Sequence, residues 1–511
     1  MTDETVPGRT TPDENVTPLT FGTAGLRGPL GPGPGGMNVD TVVRTTAGLA
    51  SWLQARCLGG STVVVGRDAR HGSREFADAT AEVLAAAGFD VVVLPRPLPT
   101  PVLAFAVRRL RAAAGVQITA SHNPATDNGY KVYTDGGAQL IAPADREIEH
   151  AIAAVGPANA VPRAPATPTD EALLTEYLAR VAALPRGSNR DLRIALTPLH
   201  GVGGDTAIAA LTAAGFTDLH TVTSQFDPDP DFPTVRFPNP EEDGATDALL
   251  ELAESVGADL AIALDPDADR CAVGVPGPDG WRMLRGDETG VLLGDHVLST
   301  AGPDPLVATT IVSSQLLAKV AAARGARFAE TLTGFKWLVR AGAGLVYAYE
   351  EALGHCVDPE VVRDKDGISA AVLMADLAAG LKARGRSVLD VLDDYAVEFG
   401  VHAGDQVSRR VGHQGELADL MARLRAALPR SLAGDDVTAE DLLARRGALR
   451  TDAVVLRGER TRMVVRPSGT EPKLKCYLEV VVDVEDRSDL DRARAEAATR
   501  LRDLRDYARE L

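Results

Sequence analysis

The stretch TVVVGRDARHGSREFADATAEVLAAAGFDVVVL, residues 62–94, sets the fold class. A β-branched run, Thr62 to Gly66, reads as a strand. A turn follows, then an Ala/Leu-rich helical stretch from Phe76 to Ala87, with Gly88 as its stop and Val91 to Leu94 as the next apolar run. The same order recurs twice downstream. A second unit begins at Leu192 to Leu196, passes through a helix ending near Gly215 and reaches a strand at Leu260 to Leu264. A third runs from Leu306 to Val312, through Leu316 to Ala323, and on to Tyr347. Three such units predict three related α/β domains, although no residue-level repeat is strong enough to prove duplication. A Pro/Ala-rich stretch from Gly156 to Pro168 separates the first from the second, bridged by a helix from Asp170 to Leu184, and Gly302 to Pro305 marks the next boundary. Beyond about Gly400 the pattern changes to amphipathic helices, near Glu416 to Ala427 and Leu490 to Ala508, around strands such as Asp452 to Leu456. The expected division is a polar arm over 1–20, α/β domains over 21–165, 166–302 and 303–400, and an α+β domain over 401–511.

Length agrees with this division, because 511 residues exceed what one core supports and suggest three to four domains. An aromatic content of 4% within a 45% hydrophobic fraction makes the cores aliphatic. A formal charge of −18 argues against nucleic-acid and anionic-membrane partners, which are gripped by clustered Lys and Arg. Cys57, Cys271, Cys356 and Cys476 show no CxxC spacing, so a zinc site and a disulfide framework are not expected, and a reducing, cytoplasmic setting is. No signal-like N-terminus and no run of about 18 apolar residues is found, so export and membrane spanning are not expected.

Chemistry concentrates in a few loops. TASHNP, Thr119 to Pro124, follows the strand candidate Gly115 to Ile118 and puts Ser121 in a tight turn at a strand's C-terminal end, where open α/β sheets bind ligands. Read alone, Ser121 caps a turn that His122 orders. DPDADR, Asp265 to Arg270, follows the apolar run Leu260 to Leu264, and its alternating carboxylates can converge on a hard cation such as Mg²⁺. An EF-hand would need Gly at Arg270 and Glu at Pro276, and it fails at both. A haloacid-dehalogenase-type phosphatase also sets aspartates after a strand, yet leaves the serine loop without a use. RPSGTEPK, Arg466 to Lys473, combines a guanidinium, hydroxyls, a Gly and a lysine in a phosphate-sized cradle. Arg27 in FGTAGLRG adds a cation on a Gly-rich loop. TGFKW, Thr333 to Trp337, and YEEALGH, Tyr349 to His355, offer Glu350 and Glu351 beside Gly turns as acceptors for sugar hydroxyls. RDKDGI, Arg363 to Ile368, places further cations nearby in sequence.

Together with GRDAR (Gly66 to Arg70) and DNGYK (Asp127 to Lys131), these segments resemble, in the same order and over residues 21 to about 478, the α-D-phosphohexomutase superfamily. LTPLHGVGG (Leu196 to Gly204), FPNPEE (Phe237 to Glu242), TGFKW and EEALG look most like its phosphoglucomutase-2 and phosphopentomutase branch. The resemblance implies four domains around a central cleft: three related α/β domains carrying the phosphoserine, the metal loop and the sugar loop in turn, and an α+β domain carrying the phosphate cradle. It implies that Ser121 is phosphorylated and that Asp265, Asp267 and Asp269, with Ser121, hold one Mg²⁺. Gly334, Phe335, Lys336, Glu350, Glu351, His355 and Lys365 would meet the sugar, and Arg466, Ser468, Gly469, Thr470 and Lys473 its non-reacting phosphate.

The implied activity interconverts sugar 1-phosphate and 6-phosphate, of glucose or mannose, through a bisphosphorylated sugar, with a sugar 1,6-bisphosphate as activator. Lys131 is the candidate for proton handling, with Arg270, Arg27 and His122 beside it; an arginine is a poor base. Where many relatives have a serine after the acidic positions of the sugar loop, this chain has Ala352 and Leu353, which leaves the sugar open and keeps ribose and deoxyribose phosphates as alternatives. A non-catalytic phosphosugar-binding protein is the alternative from another class. The expected assembly is a monomer or homodimer.

Overall fold

The computed structural model describes residues 18–22, 25–412, 414–447, 449–468 and 473–511, with backbone alone at Asp135 and Gln414. Most of the expected N-terminal arm, and Gly469 and Thr470 of the phosphate cradle, lie outside the described residues.

The first domain is a five-stranded sheet of β1 (Leu26–Pro29), β2 (Thr62–Arg67), β3 (Asp90–Val93), β4 (Ala114–Ile118) and β5 (Asp127–Thr134), in the order β1-β5-β4-β2-β3. β2 runs parallel to β3 and β4, and β5 returns antiparallel to β4. Val63, Val64 and Val65 are all fully buried, one face of β2 lying in each of two separate cores. That two-sided burial explains the unbroken apolar run with which the sequence announces this strand. The helix after β2 spans Ser73–Ala86, three residues ahead of its expected start, with Gly72 at φ +76° turning the chain into it.

The second domain repeats the scheme with β6 (Arg193–Thr197), β7 (Asp218–Thr221), β8 (Leu260–Leu264), β9 (Cys271–Gly277) and β10 (Gly280–Met283), ordered β10-β9-β8-β6-β7. The third has β11 (Leu306–Thr310), β12 (Arg327–Thr331), β13 (Leu345–Glu350) and β14 (Gly354–Cys356), ordered β12-β11-β13-β14. In each sheet two parallel neighbours flank the first strand of the unit, and an antiparallel strand follows the second of them. The duplication that residue identities leave unproved is therefore plain in the topology. TASHNP joins β4 to β5, DPDADR joins β8 to β9, and Glu351 to Leu353 join β13 to β14, so three loops from three domains occupy one equivalent place. Each lies at the C-terminal end of a parallel strand.

The fourth domain is an antiparallel sheet of β15 (Val401–Arg410), a small hairpin of β16 (Ser431–Leu432) and β17 (Asp435–Asp436), then β18 (Thr438–Asp441), β19 (Val454–Arg457), β20 (Thr461–Pro467) and β21 (Lys473–Val482); the main sheet is ordered β15-β21-β20-β19-β18. The helix Leu490–Glu510 buries Leu490, Ala493, Ala497, Leu501, Leu504 and Ala508, a stripe of helical period laid on one face. The opposite face meets the third domain through Val455, Val464 and Tyr477 against Ile311 and Val312.

The first three domains share one aliphatic core, in which the buried helix Gly367–Lys382 packs against Ala172–Ala182 and Gly204–Ala213 of the second domain. Close backbone approach fixes the loops as well: a Cβ on Gly286 would overlap the Glu351 carbonyl oxygen. Gly286→Ala should therefore cost about 1–3 kcal/mol, read as a lowered thermal midpoint; an unchanged midpoint would mean the sugar loop yields freely. Among the described residues no helix is long and apolar enough to cross a membrane.

Candidate active site

Ser121 leaves β4 in the left-handed region, with φ at +55°. This conformation costs a non-glycine residue roughly 1 kcal/mol and needs outside support. Thr119 Oγ1 accepts the Ser121 N–H at 2.9 Å. Arg70 does most of the rest: its buried guanidinium donates to the carbonyls of Ser121, Asn123, Pro124 and Asp127. Asp68, buried beside it, lies 3.3 Å from Arg70 Nε and accepts from Ser73 Oγ. The GRDAR segment is thus the frame on which the serine turn is built.

The aspartates arrive from β8, every residue of which is buried. Asp265, Asp267 and Asp269 are fully buried and offer one oxygen each within 4.8 Å of one another. Ser121 Oγ donates to Asp265 Oδ2 at 2.8 Å, across 144 positions of sequence. Lys131 Nζ bridges Asp267 Oδ2 at 2.6 Å and Asp269 Oδ2 at 3.0 Å. Lys365 Nζ adds 2.8 Å to Asp269, and Thr100 Oγ1 donates to Asp267 Oδ2 at 2.6 Å. These contacts leave the Oδ1 atoms of Asp267 and Asp269 buried with no hydrogen-bond partner among the described residues. Buried, unpartnered carboxylate oxygens beside a serine hydroxyl suit a hard divalent cation.

The charges respond accordingly. Burial, then Asp269 and Asp267, push the Asp265 carboxyl well above the usual carboxylate range. Burial works the same way on Asp269, yet Lys131, Lys365 and Arg270 together hold it far below that range. His122 Nδ1 is 3.1 Å from Ser121 Oγ. Burial, followed by the Arg270 and Arg27 cations, drives its pKa well down, so the imidazole is neutral. Arg270 reaches Glu241 at 3.6 Å and Asp269 at 4.0 Å, while its backbone N–H donates to Asp265.

From the third domain, Glu350 Oε1 accepts the N–H of Gly334, whose φ of +111° few other residues could adopt. Glu351 Oε2 accepts from Thr310 and Ser313, and burial, with Glu350 and Asp287 behind it, pushes its carboxyl up to about 7. Lys336 lies near Glu350 and Arg466, its pKa lowered chiefly by burial. From the fourth domain, Arg466 Nη1 donates to Thr333 Oγ1 at 2.6 Å, and the Ser468 N–H to the Lys473 carbonyl at 2.8 Å, closing the β20–β21 turn onto the TGFKW segment.

Three of the residues named for the sugar are buried. Phe335 is buried in a cluster with Leu338 and Cys356. His355 is fully buried beneath its loop, stacked on Tyr349 and 3.2 Å from the Tyr347 hydroxyl, and burial pushes it down to about 3. His355 faces inward because in β14 it pairs with buried Tyr349, whereas Phe335 packs with Ala348 and Cys356 on the other face of that sheet. Lys365 joins the aspartates. Thr100 and the Asp68–Arg70 frame went unassigned in the sequence: Thr100 carries no local signal, whereas GRDAR was visible as a segment without a role.

Similarity to known proteins runs the length of this architecture. The Phosphoglucomutase/phosphomannomutase alpha/beta/alpha domains I, II and III match residues 18–158, 175–277 and 285–398, and the C-terminal domain of that family matches 420–497. A "probable phosphomannomutase" of Haemophilus influenzae is 41% identical over 470 residues, covering 90% of this chain and 96% of that one. The human phosphopentomutase is 34% identical over 520 residues, 90% of this chain and 85% of its own. A crystal structure of a Thermus thermophilus protein assigned as a phosphomannomutase superposes with a TM-score of 0.74 at 25% identity, over 95% of this chain and 99% of that one. With all four domains matched in order and a relative 41% identical over 90% of the chain, the chain belongs to the phosphoglucomutase/phosphomannomutase family of the α-D-phosphohexomutase superfamily.

Proposed function

We propose that the chain is a phosphosugar mutase in which phosphorylated Ser121 gives its phosphoryl group to a sugar monophosphate and recovers the other phosphate from the resulting bisphosphate. The observation that carries this reading is the 2.8 Å contact between Ser121 Oγ and Asp265 at the mouth of the aspartate cluster. Asp265, Asp267 and Asp269 would hold Mg²⁺ together with Ser121. The cation would offset charge on a phosphoserine of about −1.5 to −2 facing an anionic sugar phosphate.

The chain's own side chains do the remainder. Lys131, tied to two of the aspartates, stands at the reacting end and is the candidate proton carrier. Neutral His122 accepts from or donates to Ser121 Oγ without adding charge. Arg27 and Arg270 supply fixed positive charge. Glu350 and Glu351, held from behind by Gly334, Thr310 and Ser313, orient the sugar, with Lys336 beside them. Arg466, Ser468 and Lys473, with Gly469 and Thr470, bind the phosphate that is not reacting, whichever end of the sugar carries it. A sugar 1,6-bisphosphate serves as activator by restoring phosphate to Ser121.

Hexose 1- and 6-phosphates are the primary reading. Pentose phosphates form the second, favoured by Ala352 in the sugar loop and by relatives named phosphopentomutase and phosphoribomutase. The cytoplasm is the proposed location, in keeping with four free cysteines, and the proposed assembly is a monomer or homodimer.

A coupled assay with glucose, mannose, ribose and deoxyribose 1-phosphates, primed with glucose 1,6-bisphosphate, tests the reading; no turnover on any would end it. EDTA should remove at least about 99% of activity, and added Mg²⁺ should restore it; activity that survives exhaustive chelation would exclude the aspartates as a catalytic cation site. Arg466→Ala should raise KM about tenfold to a hundredfold, the worth of a charge-assisted contact. An unchanged KM would put the phosphate cradle elsewhere.

A further inference from the structure

The segment FPNPEE, Phe237 to Glu242, lies in the domain that carries the aspartates, and its Glu241 stands beside Arg270 of the aspartate loop. The turn is pinned from both sides: Pro238 and Pro240 are buried, the Asn239 side chain accepts the Glu241 N–H at 3.2 Å, and its carbonyl accepts the Glu242 N–H at 3.0 Å. The Glu241 carboxylate stands 3.6 Å from the Arg270 guanidinium, within the field of Lys475 from the fourth domain and Glu350 from the third. It also acts on the charge of Glu351. Charges of three domains thus meet at this one side chain.

Its bonding sets it apart from its two acidic neighbours. Glu350 and Glu351 each accept hydrogen bonds from the protein. Among the described residues none donates a hydrogen bond to the Glu241 carboxylate, since the 3.6 Å to Arg270 is too long for one. The side chain is 39% exposed, so its acceptor positions are open to a ligand beside Arg270. Arg270 holds the group in place by charge while leaving those positions open. A sugar ring presents hydroxyl donors, and the sugar loop itself offers Ala352 where a hydroxyl side chain would contact them.

We propose that Glu241, supplied by the metal-binding domain, is a specificity-determining residue that accepts a hydrogen bond from a ring hydroxyl of the sugar phosphate. This rests on the mutase reading. A site that binds a hydroxyl through a charged acceptor rejects a substrate lacking it, or carrying it on the other face, because the acceptor is then left unpaired. Glu241 therefore helps decide which of glucose, mannose, ribose and deoxyribose phosphates is turned over.

The test compares the full-length protein with Glu241→Gln and Glu241→Ala on those four 1-phosphates, with glucose 1,6-bisphosphate present and Ser121 phosphorylation followed by intact mass. The expected result is a drop of about 10- to 100-fold in kcat/KM on the preferred sugar, a much smaller drop on the others, and an unchanged phosphoserine level. Gln keeps the shape of the side chain, so a folding defect confined to the Ala variant leaves the comparison intact. Equal losses on all four sugars, or no loss on any, would overturn the proposal while leaving the mutase reading standing. A wild-type protein inert on all four would overturn both.

Discussion

Ser121→Ala should lower kcat by about 10⁴-fold or more while leaving the fold in place. The fold should survive because alanine brings no new backbone strain: serine at φ +55° already carries a Cβ. Thr119 and Arg70 hold the turn through main-chain atoms, which the substitution keeps. The lost hydroxyl contact with Asp265 is worth about 1 kcal/mol, small against the stability of a domain. Activity should nevertheless collapse, because the aspartates and Lys131 would have no group on which to carry phosphate between turnovers. Circular dichroism and thermal unfolding check the first half, and steady-state rates with added sugar bisphosphate the second. A folded variant with undiminished turnover would remove the covalent step.

Arg70→Met should have the largest effect on stability, about 3–5 kcal/mol. Arg70 is 4% exposed and its guanidinium donates to four carbonyls of the serine turn, with Asp68 at 1% exposure beside it. Methionine would fill the volume but take the counter-charge from buried Asp68 and the guanidinium donors from the four carbonyls. Asp68 would respond by taking up a proton, since burial already raises its pKa and the Arg70 cation is the strongest influence pulling it down. Arg70→Lys should recover only part of the loss, a point charge being unable to fork to several carbonyls. Denaturant titration and limited proteolysis at 119–127 measure both variants. An Arg70→Met protein with an unshifted midpoint and a resistant loop would mean the turn is held by other contacts.

The α/β character was legible because buried parallel strands must be apolar on both faces, and the runs at 62–66, 192–196, 260–264 and 306–312 show this directly. Helix spans at 316–323 and 490–508 were readable from their period and stops. β1 and β10 were not foreseen: each is four residues long and exists by pairing with a strand already in place, a tertiary effect with no local pattern. The domain duplication escaped residue comparison yet is clear in strand order, since topology is kept by backbone pairing while side chains diverge.

Within the site, the carboxylates and Ser121 could be named from their position after strands. Their meeting was legible only through the family resemblance and not from the residues alone, because it depends on how two sheets pack across 144 residues. Lys365, named for the sugar, also pairs with Asp269, which its neighbours in RDKDGI gave no means of telling. His355 and Phe335 share segments with the acidic and cationic groups named for the sugar, but pairing in β14 turns His355 inward and the cluster with Ala348 and Cys356 buries Phe335.

The most direct measurement is a rapid-quench single turnover. Protein labelled with ³²P on Ser121 would be mixed with sugar 6-phosphate in the presence of Mg²⁺. If the hydroxyl and the aspartates form one phosphoryl-transfer site, the label should pass stoichiometrically to sugar bisphosphate and then return to the protein or leave on product. Label that stays on Ser121 while sugar phosphates interconvert, or that passes to inorganic phosphate instead, would contradict it.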